Sequence, residues 1–156
     1  MKKIIALFLL LVLVHTQVLA VTLSAGTLVH VQPVRTVDAD KNKLGEFVDF
    51  EVALPVKIDG KTVIKPGTVI TGKVIRHKNN CIIGIPGHIE VGNFFIQTDQ
   101  GEKIYLKGSV YNEGNNRYWS NIGWFFLLPL LFIKGNDGKI NMNTHHILYT
   151  LEDVKL

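Results

Sequence analysis

Six histidines and one cysteine are the residues of this chain best suited to chemistry. His77, Cys81 and His88 are types that a zinc ion accepts, but the spacing His77-x3-Cys81-x6-His88 matches no tetrahedral zinc pattern. His145 and His146 are adjacent, so a strand turns their rings to opposite faces and one ion cannot take both. Cys81 beside a histidine would make a nucleophile and base, yet no third group stands ready to orient the pair. A small thiol next to Ile82 and Ile83 reads instead as apolar filling in the core. Ser24, Ser109 and Ser120 are the serines, and none sits in a Gly-x-Ser-x-Gly elbow. Asp49 and Glu51 share one face of an alternating run and read as solvated. Gly84-Ile85-Pro86-Gly87 lacks the lysine and hydroxyl residue that a phosphate loop requires. The expectation is a protein without catalytic residues, resident metal or cofactor.

The elements that would position these side chains are strands. Phe50, Val52, Leu54 and Val56 alternate with Asp49, Glu51, Ala53 and Pro55, which gives one dry face and one wet face over Phe47–Val56. Ile104, Leu106, Gly108 and Val110 repeat the pattern, as do Ile70, Gly72 and Val74, and Ile89, Val91 and Phe95. Turn pairs punctuate the runs: Asp59-Gly60, Pro66-Gly67, Pro86-Gly87, Gln100-Gly101, Gly114-Asn115 and Asp137-Gly138. Pro55 cannot donate to a ladder, so it is expected on an edge or at a bulge. Gly67 is expected to hold positive φ or to approach another backbone closely. A faint repeat is present as well. A glycine or asparagine precedes threonine at Gly26-Thr27, Gly67-Thr68 and Asn143-Thr144, each ahead of a strand, which predicts a tight turn that starts the strand. The expectation is an all-β fold: a small single-domain barrel or sandwich of short antiparallel strands.

Mean hydropathy is +0.22, and the apolar excess lies in two blocks. The first is a leader: Lys2 and Lys3, the unbroken run Ile4–Val14, and a cleavage region ending at Ala20. Its 11 apolar residues suit a signal peptide, whereas a spanning helix needs about 20. Residues 1–20 are therefore expected to be removed, leaving 21–156 as one domain. The two leader lysines account for half of the formal charge of +4. The remaining balance, with no basic stripe interleaved with aromatics, argues against nucleic acid as partner. With 47% hydrophobic and 19% charged residues, the composition is that of a folding chain and not of a disordered one.

The second block is the apolar core Ile122–Ile133 inside an inserted segment, 118–134. It is too short to span a bilayer as a helix. Tyr118, Trp119 and Trp124 at one end and Lys134 at the other have the character of an interfacial anchor. The candidate docking residues are Trp119, Trp124, Phe125, Phe126, Leu127, Leu128, Leu130, Leu131 and Phe132.

The order of these features resembles the C-terminal β-barrel of TrbI-like scaffold proteins of conjugation and type IV secretion machines. The resemblance rests on the opening Gly26-Thr27 strand, Phe47–Val56, the Val63–Thr68 turn, Gly72–Val74, Asp99–Leu106, the apolar insertion and the closing strand. It implies an envelope-located barrel that assembles with other proteins, without catalytic residues, and in the TrbI-like family an insertion at the matching place contacts the outer membrane. The expected function is that of an exported, non-enzymatic structural or assembly component of the periplasm or cell envelope, peripheral to a membrane. Its expected partners are envelope proteins or the outer-membrane surface, with homo-oligomerisation left open. The alternative is a periplasmic binding module for a glycan or a small apolar ligand.

Overall fold

The structure is a computed structural model, and it describes residues 21–81, 84–98, 101–115 and 134–155. The leader 1–20 lies outside the described residues, and so do all nine candidate docking residues of the insertion.

The described residues form thirteen strands: β1 Thr22–Leu23, β2 Leu28–Pro33, β3 Val37–Asp38, β4 Phe47–Val52, β5 Val56–Ile58, β6 Lys61–Ile64, β7 Val69–Lys78, β8 His88–Gln97, β9 Lys103–Lys107, β10 Val110–Glu113, β11 Lys139–Ile140, β12 His146–Thr150 and β13 Val154–Lys155. Among the described residues there is no helix. Six strands close into an antiparallel barrel in the order β2-β4-β7-β8-β9-β12, and β12 returns to β2. Period-two alternation drives the closure. Val29, Val31, Val48, Phe50, Ile70, Val74, Leu106 and Leu148 turn inward and are buried, while their neighbours face water.

The long hairpin β7–β8 carries two opposed irregularities. Lys73 pairs with Gly92 and Thr71 with Phe95, so β8 holds one extra residue there, and Asn93 takes φ 51°. Val74 pairs with Val91 and Arg76 with Glu90, so the extra residue is then on β7. The first bulge corrects the expected face of Phe95. Parity flips at Asn93, Phe94 becomes fully buried (0% exposed), and Phe95 turns outward. The Phe94 ring meets Phe50 edge to face, with centroids 5.1 Å apart at 86°. It lies over Gly72, where an added Cβ would meet the ring at 2.5 Å.

Two further strand expectations need correction. The run Phe47–Val56 ends as a strand at Val52. Leu54 is 52% exposed, and Pro55 stands between β4 and β5 in neither of them. The chain turns there because Ala53 gives its amide to His30 O at 2.8 Å, and the proline that follows has no amide to continue a ladder. The run Ile104–Val110 is two strands. Gly108 at φ 138° swings the chain so that β9 pairs with both β8 and β12, whereas β10 pairs with β8.

The repeat of turns is real. Thr27, Thr68 and Thr144 each donate a hydroxyl to the carbonyl three residues earlier, at 2.6, 2.7 and 2.6 Å. Their amides reach the same oxygens at 3.2, 3.2 and 3.0 Å. Gly26 and Gly67 hold φ 79° and 78°, whereas Asn143 is not at positive φ, so the third turn makes the same bonds without that conformation. Asp59-Gly60, at φ 49° and 78°, is the two-residue turn between β5 and β6.

The barrel ends are closed differently. At one end β1 pairs with β13 and brings Leu23 against Val154, while the β5–β6 hairpin adds Val56 and Ile64. At the other end β3 pairs with β11, and Val37, Ala39 and Ile140 cover the core.

Candidate functional site

The segments that flank the insertion meet at the β3–β11 end. Asp38 and Lys139 are opposite each other across β3 and β11, and their side chains approach to 3.0 Å. The Asp38 carboxylate accepts from the Lys139 ammonium and raises its pKa. On the same loop Asn42 Oδ1 accepts the Asp38 amide at 3.0 Å, and Asn42 Nδ2 donates to Glu46 Oε1 at 2.9 Å. The Lys43 amide, then the Asn42 side chain, hold the Glu46 carboxyl below its ordinary value.

Four glycines let the backbones themselves touch here. An added Cβ at Gly138 would lie 2.6 Å from Asn112 O, and one at Gly87 would lie 2.8 Å from both Asn80 N and Lys78 O. At Gly114 it would strike the carbonyl of Asn136, and at Gly135 the carbonyl of Ile85. Hydrogen bonds tie the crossing segments together. Gly87 N donates to Asn136 O at 3.0 Å, Gly114 N to Gly87 O at 2.9 Å, and Gly135 N to Cys81 O at 3.2 Å. Asn80 Nδ2 donates to Gly135 O at 2.8 Å. Gly114 and Gly135, in the two described flanks of the insertion, are thus held close together in a single knot of backbone contacts. Gly114-Asn115, Pro86-Gly87 and Asp137-Gly138, expected as turns, are the crossing segments of this knot, each just outside a strand. The signal that could have revealed it is the recurrence of glycine in both polar flanks of the apolar block.

A polar cavity of about 470 Å³ opens at the knot, lined in part by Asn112, Glu113, Asn136, Asp137 and Asn141. Asp137 Oδ1 is buried there without a hydrogen-bond partner among the described residues. Tyr111 donates its hydroxyl to Glu113 Oε2 at 2.9 Å, and that bond raises the phenol pKa.

No protein-family model matches this chain, and no curated protein matches it.

The residues singled out for chemistry are scattered. His77 Nε2 is 2.6 Å from Ala39 O, and His88, one pair further along the hairpin, faces the Tyr111 ring at 6.0 Å. Cys81 is exposed, which corrects the expectation of a buried thiol. Its amide donates to Ile85 O at 3.0 Å and its carbonyl receives Gly135, so the backbone is fixed in the knot while the side chain faces water. Among the described residues no group of three histidine, cysteine or acidic side chains could hold a metal ion. His145, just before β12, is exposed, and His146, the first residue of β12, is half-buried. Burial, with His145 nearby, keeps the His146 imidazole below its ordinary pKa. Asp49 is exposed, and Glu51 accepts from Gln32 Nε2 at 2.7 Å on the outer face of the barrel.

Proposed function

We propose that this chain is an exported, non-enzymatic barrel of the cell envelope that presents its apolar segment, 118–134, to an envelope protein or membrane surface. The observation that carries this reading is the knot. Two flanks of an apolar run are fixed side by side by backbone contacts that no side chain could replace. That suits a rigid root for a docking element. The two described flanks are also at the end of the barrel opposite to β1. The resemblance to TrbI-like barrels supports the same assignment, because the insertion falls at the matching place.

The test is the double variant Leu127→Asp with Leu131→Asp. The barrel should keep its strand signal by circular dichroism, and the protein should leave the envelope fraction. Unfolding of the variant would make the segment core, and unchanged fractionation would make it irrelevant to docking.

A second reading, a glycan-binding module, is favoured by the cavity at the knot. Its volume lies within the roughly 300–1,000 Å³ of small-molecule sites, and its carboxamides and carboxylates suit hydroxyl groups. Titration with chitobiose, followed by amide shifts of Asn112 and Asn141, distinguishes the two.

A further inference from the structure

The barrel wall formed by β2, β12, β9 and the far half of β8 differs from the rest of the surface. Its outward positions are fixed by pairing. Leu28 is opposite Tyr149, and Tyr149 is opposite Lys107. One row away, Leu151 donates its amide to Tyr105 O at 3.0 Å, and Tyr105 is opposite Phe95 with ring centroids 6.4 Å apart. Ile147 adds a third row, opposite His30. Leu28, Tyr105, Ile147, Tyr149 and Leu151 are each 45–56% exposed.

The charge on this wall has one sign. Lys103 and Lys107 share the outer face of β9 with Tyr105, and the Lys103 ammonium is 4.6 Å from the Phe95 ring centroid. Among the described residues no acid shares that face in these three rows. Glu102, Glu152 and Asp153 stand beyond the strand ends, and Asp153 is bound to the Ala25 amide at 2.7 Å. The opposite wall is mixed: Asp49 and Glu51 on β4 face outward beside Thr71 and Val69 of β7, with Lys73 one pair further on. A cleft of about 500 Å³ opens beside Gly108, lined by Lys107, Tyr149 and Leu151 among others.

We propose that this wall is a docking face for an anionic lipid surface. Lysines without acids select a negative partner. Tyrosines present an apolar ring and a wet hydroxyl, the combination that settles at a membrane–water boundary. The aliphatic members decide between lipid and nucleic acid. Leu28, Ile147 and Leu151 cannot stack on bases, whereas hydrocarbon takes them out of water, and two lysines are few for following a phosphate backbone. The face uses barrel residues alone and is independent of segment 118–134.

The test is co-sedimentation of the full mature chain with vesicles of phosphatidylglycerol and phosphatidylcholine, against phosphatidylcholine alone. Binding should require the anionic lipid and weaken with salt. Lys103→Glu with Lys107→Glu should lower the partition coefficient at least about tenfold. Tyr105→Ser with Tyr149→Ser should lower it at low salt as well. Lys57→Glu with Lys61→Glu, the same charge reversal on the exposed β5–β6 hairpin, should leave it unchanged. These are surface changes, and an unchanged melting temperature confirms that each variant is folded. Equal loss in both lysine pairs, no loss in the wall variants, or no vesicle binding by the wild type overturns the proposal. Tighter binding of oligo-dT through the same residues also overturns it. Complete loss of vesicle binding in Leu127→Asp with Leu131→Asp assigns the membrane contact to the insertion and overturns the wall, whereas retained binding separates the two surfaces.

Discussion

The middle of the barrel and the knot at its end are held together in different ways. The middle is filled by side chains, and Phe50 and Phe94 interlock above a glycine that makes room for a ring. In the knot there is no room for side chains: Gly87, Gly114, Gly135 and Gly138 bring carbonyls and amides into direct contact. A side-chain core can repack around a change of volume, because rotamers move. A backbone crossing has no such freedom, since displacing one strand displaces every hydrogen bond along it.

The strongest way to break this comparison is Gly135→Ala. The new methyl meets the Ile85 carbonyl, and we expect a loss of more than about 4 kcal/mol in urea unfolding. Gly60→Ala, whose Cβ would meet nothing within 4 Å, should lose only about 1–2 kcal/mol from its positive φ. Similar losses at the two sites would mean that the knot yields as readily as an open turn.

Gly72→Ala tests the middle. Its methyl presses on the Phe94 ring, and overpacking should remove about 1–3 kcal/mol. Adding Phe94→Leu should recover part of that loss, so the double variant is more stable than the sum of the singles requires. Strict additivity would show that the ring does not occupy the space over Gly72.

The repeated turns come next. Gly67→Val should lower stability by about 1–2 kcal/mol more than Lys65→Val, because only Gly67 is at positive φ. Equal melting temperatures for the two would remove the special role of this turn. Thr68→Val deletes the hydroxyl bond to Lys65 O and should lose about 1 kcal/mol by the same measurement.

The smallest effect is a pH dependence. The folded His146 imidazole has a lowered pKa, so the unfolded chain binds its proton more readily. The contribution is present above the ordinary value of about 6.5 and is lost as the pH falls below it. Glu46, also lowered, adds a second loss in stronger acid, below the ordinary carboxylate value of 4.5. His146→Gln should flatten the melting-temperature profile between about pH 7 and pH 5 and leave the acid limb in place.

The sequence made the barrel legible because inward and outward positions alternate, and the Gly-Thr and Asn-Thr steps marked where β2, β7 and β12 begin. It misled where a single residue changed the parity. The extra residue at Asn93 exchanges Phe94 for Phe95, and nothing local distinguishes that bulge from a regular strand. The alternation makes Gly108 one more inward position, although its φ of 138° is what ends β9. The knot was harder still, because a glycine selected by a distant backbone is indistinguishable in sequence from one selected by its own turn. Cys81 shows the converse. Isoleucine neighbours suggested burial, but a loop whose backbone bonds are satisfied elsewhere leaves the side chain outside.

The contacts that seal the barrel have a kinetic meaning. Thr150 Oγ1 donates to Ser24 O across 126 positions of chain, and β2, among the first strands made, finds its neighbour in β12, among the last. Topology of this kind folds slowly, since the loop must close before any contact rewards it. Until β12 is available, the strands before it have no partner that closes the wall onto β2. Barrel closure therefore waits for His146–Thr150, and a chain cut short of β12 is left as an open sheet with β2 as an unpaired edge.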